Sequence, residues 1–357
     1  MTKIRSAMLL LAISTNANAF EAYVTNPGTR AMGMAGVFAA QADDSSAIWY
    51  NPGGLARANM IKRDYTVEWG GIPAAHAQQG FGDVQALKFA GAYAGELWDE
   101  PALGAGVVYV VPYQLSFDIT QRVSPLSTRT YGEITATYRQ LSGLLATPLG
   151  PDLAVGATLD WVWVGVRCEQ SPCVDNGPAG LGMSLGATYE LARRKDWSTT
   201  LAAVWHSRAA LGYRSEATSG IGTQLGDYLP DRPQSLHFGV GLQIPARTAV
   251  WNTNVGIERR WWSEAAGALA PADNFTRMGI AQEALIPLSV GRSLAVRLGF
   301  VQAQADGGQD RVTILAAGLG VSFAGHHAID LAVERRVLKS ALNDEAQHGS
   351  LSYSWQR

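Results

Sequence analysis

The stretch LAVGATLDWVWVGVR, residues 153–167, alternates large apolar side chains with small or polar ones. Leu159 and Trp161 fall on one face of this stretch, and Thr158 and Asp160 fall on the other. An alternation with a period of two residues is typical of a β-strand whose two faces meet different surroundings. The same pattern recurs in residues 236–244, 294–300 and 329–334. We therefore predict an all-β protein.

The composition narrows the class of protein further. Charged residues make up 16% of the chain, against roughly 25% in an ordinary soluble domain. The 28 basic and 30 acidic residues leave no basic surplus, which argues against a nucleic-acid partner. No apolar run reaches the length of about 18 residues that a membrane-spanning helix needs. Two classes remain, a soluble all-β protein and a transmembrane β-barrel, whose membrane signal is spread over many short strands.

The connections between the apolar runs alternate in length. We count fourteen runs, which begin near residues 61, 85, 102, 131, 153, 180, 198, 233, 249, 274, 294, 311, 328 and 348. Short connections such as 149–152 and 245–248 alternate with longer ones such as 119–130, 217–232 and 340–347. An alternation of short and long connections, with an even number of strands, is typical of outer-membrane barrels. In a soluble sandwich, no physical constraint sorts the connections by length. We predict a fourteen-stranded antiparallel transmembrane β-barrel over residues 61–357.

A closed barrel of this kind turns the polar face of each strand toward the lumen. On a soluble sandwich the same charges would form the solvated face. We predict that the polar lumen residues include Asp160, His206, Arg208, Glu258, Arg260, Arg297, Asp330 and Glu334.

The first nineteen residues have the pattern of a cleavable export signal. Lys3 and Arg5 precede a short apolar stretch, residues 7–13, and the triplet Ala17-Asn18-Ala19 matches a cleavage site. We predict that residues 1–19 are a signal peptide, cleaved after Ala19, and that the mature chain lies in a bacterial outer membrane.

The two cysteines, Cys168 and Cys173, are close in sequence. In an oxidising compartment we expect them to form a disulfide. Two cysteines alone do not make a structural zinc site, and the chain contains no G-x-S-x-G, H-E-x-x-H or phosphate-loop motif. We predict no metal, no cofactor and no catalytic residues, so the chain is not expected to be an enzyme.

Residues 20–60 do not have the strand pattern. Residues 31–36 are rich in Gly and Ala, and Asp44, Ser45 and Ser46 are good N-caps for a short helix. Asn51-Pro52-Gly53 would end that helix. We predict a small amino-terminal helical plug, or hatch, within the barrel. The alternative is a tail outside the barrel.

Residues 42–56, ADDSSAIWYNPGGLA, resemble the amino-terminal signature of the FadL/TodX family of outer-membrane transporters. The positions that match the hatch motif are Asp43, Asp44, Asn51, Pro52 and Gly53. Gly53 stands where the family usually has alanine. The same motif also occurs in barrels that serve secretion or conjugation systems. The resemblance therefore indicates the fold more firmly than the cargo.

The resemblance implies passive uptake of hydrophobic small molecules, such as long-chain fatty acids or aromatic hydrocarbons, with lateral release through the barrel wall. Pro112 lies within a strand-like run, where it cannot donate to the ladder and therefore indicates an edge or a bulge. We predict either a lateral gap at Pro112 or a strand end at the outer rim. An apolar substrate pocket between hatch and wall is predicted at Phe38, Trp49, Val111 and Tyr113.

Two other functions stay open. The first is a structural or partner-binding barrel of a secretion or envelope assembly apparatus, and the second is a plugged general porin. The expected partners are a hydrophobic small-molecule substrate and outer-membrane lipid. Lipopolysaccharide phosphates would be contacted through Arg259-Arg260 and Arg335-Arg336. We expect a monomeric barrel and no nucleic acid.

Overall fold

The computed structural model describes residues 26–57, 63–71, 84–94, 103–124, 127–168, 178–212, 230–265, 273–307, 311–324, 326–339 and 344–356. These residues contain fourteen strands and three short α-helices, so the all-β prediction is confirmed. The helices are α1 (Thr29–Met32), α2 (Ala47–Tyr50) and α3 (Gly54–Arg57). No helix in the described part of the chain has the length and apolar character required to cross a bilayer.

The strands follow the helices in chain order. They are β1 (Arg63–Gly71), β2 (Val84–Ala94), β3 (Gly104–Ser124), β4 (Ser127–Pro148), β5 (Leu153–Cys168), β6 (Ala179–Arg193), β7 (Ser198–His206), β8 (Gln234–Pro245), β9 (Val250–Trp261), β10 (Phe275–Ser289), β11 (Arg292–Ala305), β12 (Arg311–Phe323), β13 (His327–Lys339) and β14 (Asp344–Gln356). A 3-10 turn, Trp262–Glu264, follows β9.

Each strand pairs antiparallel with its neighbours in the chain. The first strand also pairs with the last, with Val67 opposite Tyr353, and this pairing closes the sheet into a barrel. Closure removes both sheet edges, so backbone N–H and C=O groups are paired around the ring.

Two predicted loops are wrong in extent. The predicted loop 119–130 is largely strand, because β3 runs to Ser124 and β4 begins at Ser127. Gln121 pairs with Arg129 in this hairpin. Likewise, β14 begins at Asp344 rather than near residue 348. Both stretches are polar in sequence, so no apolar alternation marked them, although the backbone ladder continues through them.

The lengths of the connections still differ between the two ends of the barrel, as the sequence predicts. The pairs β4–β5, β6–β7, β8–β9, β10–β11 and β12–β13 are joined by the short connections 149–152, 194–197, 246–249, 290–291 and 324–326. We call this the short-turn end. The strand ends that border longer connections, such as His206 and Gln234 or Trp261 and Phe275, lie at the opposite end, which we call the loop end.

The two faces of the sheet have opposite character, as the sequence pattern predicts. In β5, Leu159 and Trp161 point outward and are 65% and 50% exposed. Their neighbours Thr158 and Asp160 point inward and are 4% and 1% exposed. The outer surface is therefore a continuous apolar belt, and the interior is polar and filled.

The amino-terminal segment, residues 26–57, fills this interior. Helix α1 contacts β12 to β14, α2 contacts β3, and α3 contacts β4 to β6. Phe38, Ile48 and Leu55 are almost completely buried. Helices of four residues are not stable alone, so these are held by their contacts with the barrel wall.

Glycines allow the segment to approach the wall closely. A Cβ atom on Gly156 of β5 would lie 2.5 Å from the carbonyl carbon of Pro52. A Cβ atom on Gly53 would lie 2.7 Å from the carbonyl oxygen of Gly186 in β6. The close contact explains why this chain has glycine at position 53, where alanine is usual in the similar motif.

Several predictions fall outside the described residues. The proposed signal peptide, residues 1–19, is one of them, and so is Cys173. Cys168 is the last residue of β5. The disulfide therefore stays a prediction.

We predict that Gly156→Ala lowers the free energy of unfolding by about 1–3 kcal/mol, because the added methyl group overpacks the contact with Pro52. Urea unfolding in detergent, followed by tryptophan fluorescence, measures this change. Gly143→Ala is the control, since a Cβ atom at Gly143 meets no atom within 4 Å. Equal stability of the two variants would show that the close approach is not a constraint.

Candidate functional site

A buried ionic network anchors the amino-terminal segment to the wall. Arg30 of α1 donates through Nε and Nη2 to the two carboxylate oxygens of Glu283 in β10, each at 2.9 Å. Glu283 also accepts from Nε of Arg297 at 2.7 Å and from Asn252 at 3.1 Å. The carboxylate of Glu283 is fully buried, and a buried charge is tolerated only when it is paired and hydrogen-bonded.

Arg30 also forms ion pairs with Asp43 and Asp44. Burial by itself lowers the pKa of Arg30, but Asp43, Glu283 and Asp44 together raise it well above its ordinary value. Arg30 therefore stays charged. It joins two parts of the amino-terminal segment through Asp43 and Asp44, and it joins the segment to the barrel through Glu283. The predicted hatch residues Asp43 and Asp44 thus take part in this network. Asp44 also accepts a hydrogen bond from the backbone N–H of Ser46 at 2.9 Å, at the start of α2.

Asn51 is the second anchor. Its amide nitrogen donates to the carbonyl oxygen of Ala39 and to the hydroxyl of Thr188 in β6, both at 2.9 Å. Its side-chain oxygen accepts from the backbone N–H of Gly53 at 3.1 Å. The hatch motif therefore holds a tight turn against the wall. Arg57 of α3 adds an ion pair with Glu190, at 2.8 Å.

A cavity lies between this segment and the barrel wall near the loop end. One side is aromatic and consists of Trp49 and Tyr50 from α2 and Tyr113 from β3. Trp49 lies 6.0 Å from the ring of His206. Tyr113 meets Tyr138 edge-on at 5.7 Å.

The opposite side of the cavity is polar and charged. The inward-facing residues are His206 of β7, Ser235 and His237 of β8, Glu258 and Arg260 of β9, and Arg277 of β10, together with Arg232 before β8. Arg260 donates from Nε to Glu258 at 2.8 Å, and Arg277 donates from Nη1 to the same carboxylate at 3.1 Å. The guanidinium group of Arg232 pairs with Asp160 at 2.7 Å.

Of the four predicted pocket residues, two line the cavity and two do not. Trp49 and Tyr113 line the cavity. Phe38 instead packs edge-on against Tyr50 at 5.6 Å, and Val111 is buried two residues from Tyr113. The sequence led us to expect an apolar pocket, but here one wall is charged, because the inward faces of β7 to β10 carry polar residues.

Pro112 lies in a β-bulge within β3. Val110 pairs with Gln140 and Tyr113 pairs with Tyr138, so three steps along β3 match two along β4. On the other side, the pairing of β2 with β3 ends at Phe89 opposite Val110. Because β3 continues to Ser124, Pro112 is not at a strand end. The bulge places a proline where no ladder hydrogen bond is needed.

Most of the predicted polar lumen residues lie on inward strand faces and are paired. His206 is hydrogen-bonded to Ser184, Arg297 pairs with Asp330, and Glu334 pairs with Arg336. Arg208 differs, since it follows β7, is partly exposed and pairs with Asp231.

Sequence reasoning missed several of the residues that form the site. Arg277 and Glu283 lie on inward faces, where a strict application of the alternation finds them. Tyr50 is next to the predicted Trp49, but nothing in the sequence favoured one over the other. Arg232 lies in a predicted long loop and had no local signal.

Fourteen antiparallel strands around a buried amino-terminal segment define the fold of a filled β-barrel. No protein-family model matches the chain, and no curated protein matches its sequence. Solved structures with a similar fold include a monoaromatic hydrocarbon channel, a toluene transporter and a FadL homologue.

The CymD monoaromatic hydrocarbon channel has a TM-score of 0.66 and 14% identity, with 92% of this chain and 97% of that chain covered. The Ralstonia pickettii toluene transporter TbuX has a TM-score of 0.62 and 14% identity, with 94% and 98% covered. A Pseudomonas aeruginosa FadL homologue has a TM-score of 0.57 and 12% identity, with 93% and 99% covered. The likeness supports the resemblance to the FadL/TodX family, and at these identities it shows a shared fold.

We predict that Glu283→Gln lowers the free energy of unfolding by about 1–3 kcal/mol, because charge-assisted bonds from Arg30 and Arg297 are lost. Urea unfolding in detergent measures the change. The control is Glu264→Gln, which replaces an exposed carboxylate that forms no ion pair with the described residues. If both variants unfold at the same urea concentration, the network does not stabilise the fold.

Proposed function

We propose that the chain is a monomeric outer-membrane channel for passive uptake of hydrophobic small molecules, exported by the signal peptide 1–19. The observation that carries this proposal is the cavity between the amino-terminal segment and the wall, which reaches the bulge of β3 through Tyr113. The hydrophobic-compound channels with the same fold support it. Diffusion through such a channel needs no cofactor and no energy source.

The outer surface supports a membrane location. Leucines along the outward faces are each between 47% and 65% exposed: Leu159, Leu181, Leu298, Leu315, Leu331 and Leu351. A soluble monomer rarely exposes so continuous an apolar surface. Aromatic pairs lie toward opposite ends of this belt, Tyr65 with Trp355 at 5.3 Å and Trp161 with Trp163 at 4.9 Å. Aromatic girdles of this kind are typical of the two membrane interfaces.

The amino-terminal segment acts as a plug in this proposal. Gln41 accepts a hydrogen bond from Asn254 of β9, and Ala40 packs against Gly239 of β8. These contacts lie on the short-turn side of the cavity and fill the barrel axis there. Tyr113, which lines the cavity, is next to Pro112 in the bulge of β3. We propose that release is lateral, between β2 and β3, where the described pairing stops at Phe89 and Val110.

The charged inner wall favours a second candidate function, a plugged general porin. The two functions differ in what the plug does. In a porin, removal of residues 20–60 opens a conducting pore that is closed in the full chain. In a lateral channel, the full chain already transports hydrophobic molecules without conducting ions.

Lipopolysaccharide is the proposed lipid partner. Of the two arginine pairs in the sequence, Arg335 and Arg259 point outward, whereas Arg336 and Arg260 are buried inside. Arg259 forms an ion pair with Asp306 at the loop end. Arg335 is exposed beside the apolar belt, where a lipid phosphate is within reach of a guanidinium group.

We predict that liposomes containing the protein take up para-xylene faster than empty liposomes, and that Pro112→Ala removes most of the difference. Alanine restores a backbone N–H at the bulge and so favours regular pairing. The control is Pro287→Ala, because Pro287 also adjoins a bulge but lies near the short-turn end of β10. Uptake no faster than in empty liposomes would contradict the transport function, and equal uptake by the two variants would contradict lateral release at Pro112.

We predict that Leu159→Arg lowers the free energy of unfolding in phospholipid vesicles by about 2–4 kcal/mol, because it places a charge in hydrocarbon. Leu149→Arg is the matched control. Leu149 is similarly exposed, at 63%, but lies in the short turn after β4. If both substitutions have the same small effect, the belt does not face lipid.

A further inference from the structure

A second cavity lies at the short-turn end of the barrel, between the amino-terminal segment and strands β6 to β9. Its volume is about 400 Å³, within the range of roughly 300–1,000 Å³ that is typical of small-molecule sites. The lining is polar and comes from both the segment and the wall: Gln41, Asp43, Arg57, Gln243, Asn252 and Asn254. Arg193 and Ser198, which border the short turn 194–197, also line it. We call it the short-turn cavity.

The ionic network beside this cavity carries an excess of negative charge. Its four carboxylates and two guanidinium groups, counted among the described residues, belong to Asp43, Asp44, Glu283, Asp330, Arg30 and Arg297. Carboxylates that guanidinium groups match only in part need a proton or a further cation. The side chain of Asp43 is 47% exposed and lines the cavity, so a cation from solution reaches the network there.

A buried acceptor in the same cavity lacks a donor. Asn254 is 2% exposed, and its side-chain oxygen has no hydrogen-bond partner within the described part of the chain. Gln41 donates to the carboxylate of Glu283, and Asn254 donates to the side-chain oxygen of Gln41. Because a carboxylate only accepts, this chain of bonds fixes which end of each amide is the oxygen. A Cβ atom on Gly241, which also lines the cavity, would lie 3.3 Å from the oxygen of Asn254. That oxygen therefore calls for a donor from the cavity.

The lining also selects the kind of cation. The described residues contain no group of three or more His, Cys, Asp or Glu side chains that could hold a metal ion, and the cavity is much larger than such an ion. The side-chain amides of Gln243 and Asn252 offer both donors and acceptors, which suit the hydroxyl groups of a ligand. Arg57 and Arg193 also line the cavity, and both pair with Glu190, so a second positive charge on the ligand is disfavoured.

We infer that the short-turn cavity binds a hydroxylated primary amine of the amino-sugar class, with its ammonium group between Asp43 and Asn254 and its hydroxyl groups toward Gln243 and Asn252. A primary ammonium group donates three hydrogen bonds, so one group serves both the carboxylate and the amide oxygen. This site is separate from the cavity beside Trp49 and goes beyond the proposed function. Because Asp43 belongs to the segment and Asn254 to β9, the bound amine also fastens the segment to the wall.

The test is calorimetric binding of D-glucosamine and of N-acetylglucosamine to the purified full chain in detergent. The buffer contains no primary amine and is at neutral pH, where most glucosamine carries an ammonium group. We expect glucosamine to bind about tenfold or more tightly, since only its ammonium group forms charge-assisted hydrogen bonds. The urea concentration at the midpoint of unfolding then rises with glucosamine, because a ligand that binds only the folded state stabilises it. Equal affinities, or no binding of glucosamine, would overturn the inference.

Two variants and a matched control sharpen the test. Asp43→Asn weakens glucosamine binding by about tenfold and leaves N-acetylglucosamine binding unchanged, because it removes the charge and keeps the size. Gly241→Ala also weakens glucosamine binding, because its methyl group lies against the side-chain oxygen of Asn254. The control is Asp306→Asn, which leaves both affinities unchanged. The side chain of Asp306 is 45% exposed and also pairs with an arginine, but it lies at the loop end. Heat-modifiable migration on gels confirms that each variant is folded.

The outcomes separate this inference from the proposed function. If glucosamine does not bind while liposomes containing the protein take up para-xylene, only the inference is overturned. If glucosamine binds with the expected preference and no protein-dependent uptake occurs, the inference is supported and the transport function is overturned. If Asp43→Asn binds glucosamine as tightly as Asp306→Asn does, the cavity is not the ammonium site. Binding of calcium chloride that Asp43→Asn abolishes, without binding of glucosamine, would show a metal site and overturn the inference.

Discussion

When β1 pairs with β14, every strand gains a hydrogen-bonded neighbour on both sides, and the remaining features of the molecule depend on that closure. A closed ladder can have an apolar outer surface, because no backbone polar group is left at an edge. It also encloses a space that must be filled by side chains, by water or by another segment. Here residues 26–57 fill much of it.

The polar interior explains how this segment is held. Phe38, Ile48 and Leu55 pack into an apolar cluster that the segment shares with the barrel wall. Arg30, Asn51 and Arg57 add a few strong hydrogen bonds to Glu283, Thr188 and Glu190 of the barrel. Such bonds are directional, so they fix the position of the segment and thereby the shape of the cavity beside Trp49. The shape of the cavity therefore depends on these anchoring hydrogen bonds as well as on the residues that line it.

Much of this architecture was predictable because the side chains of a strand alternate strictly between two faces. Asp160 and Glu258 were placed on the inward side by that rule alone. Where both faces are polar the rule fails, as it did for the tips of β3 and β4 around residues 119–130. Pro112 marked an irregularity in the sequence, but only the register of β3 against β4 shows a bulge rather than a strand end.

The sequence by itself determined the strand pattern, the polarity of the two faces and the motif that joins Asp43 to Gly53, because each depends on residues near one another in the chain. The tertiary structure decided which residues share a site. Tyr50, Tyr113, Arg232 and Arg277 come from separate parts of the chain, and only barrel closure brings them around one cavity. The mixed aromatic and charged character of that cavity follows from this juxtaposition, which no local pattern encodes.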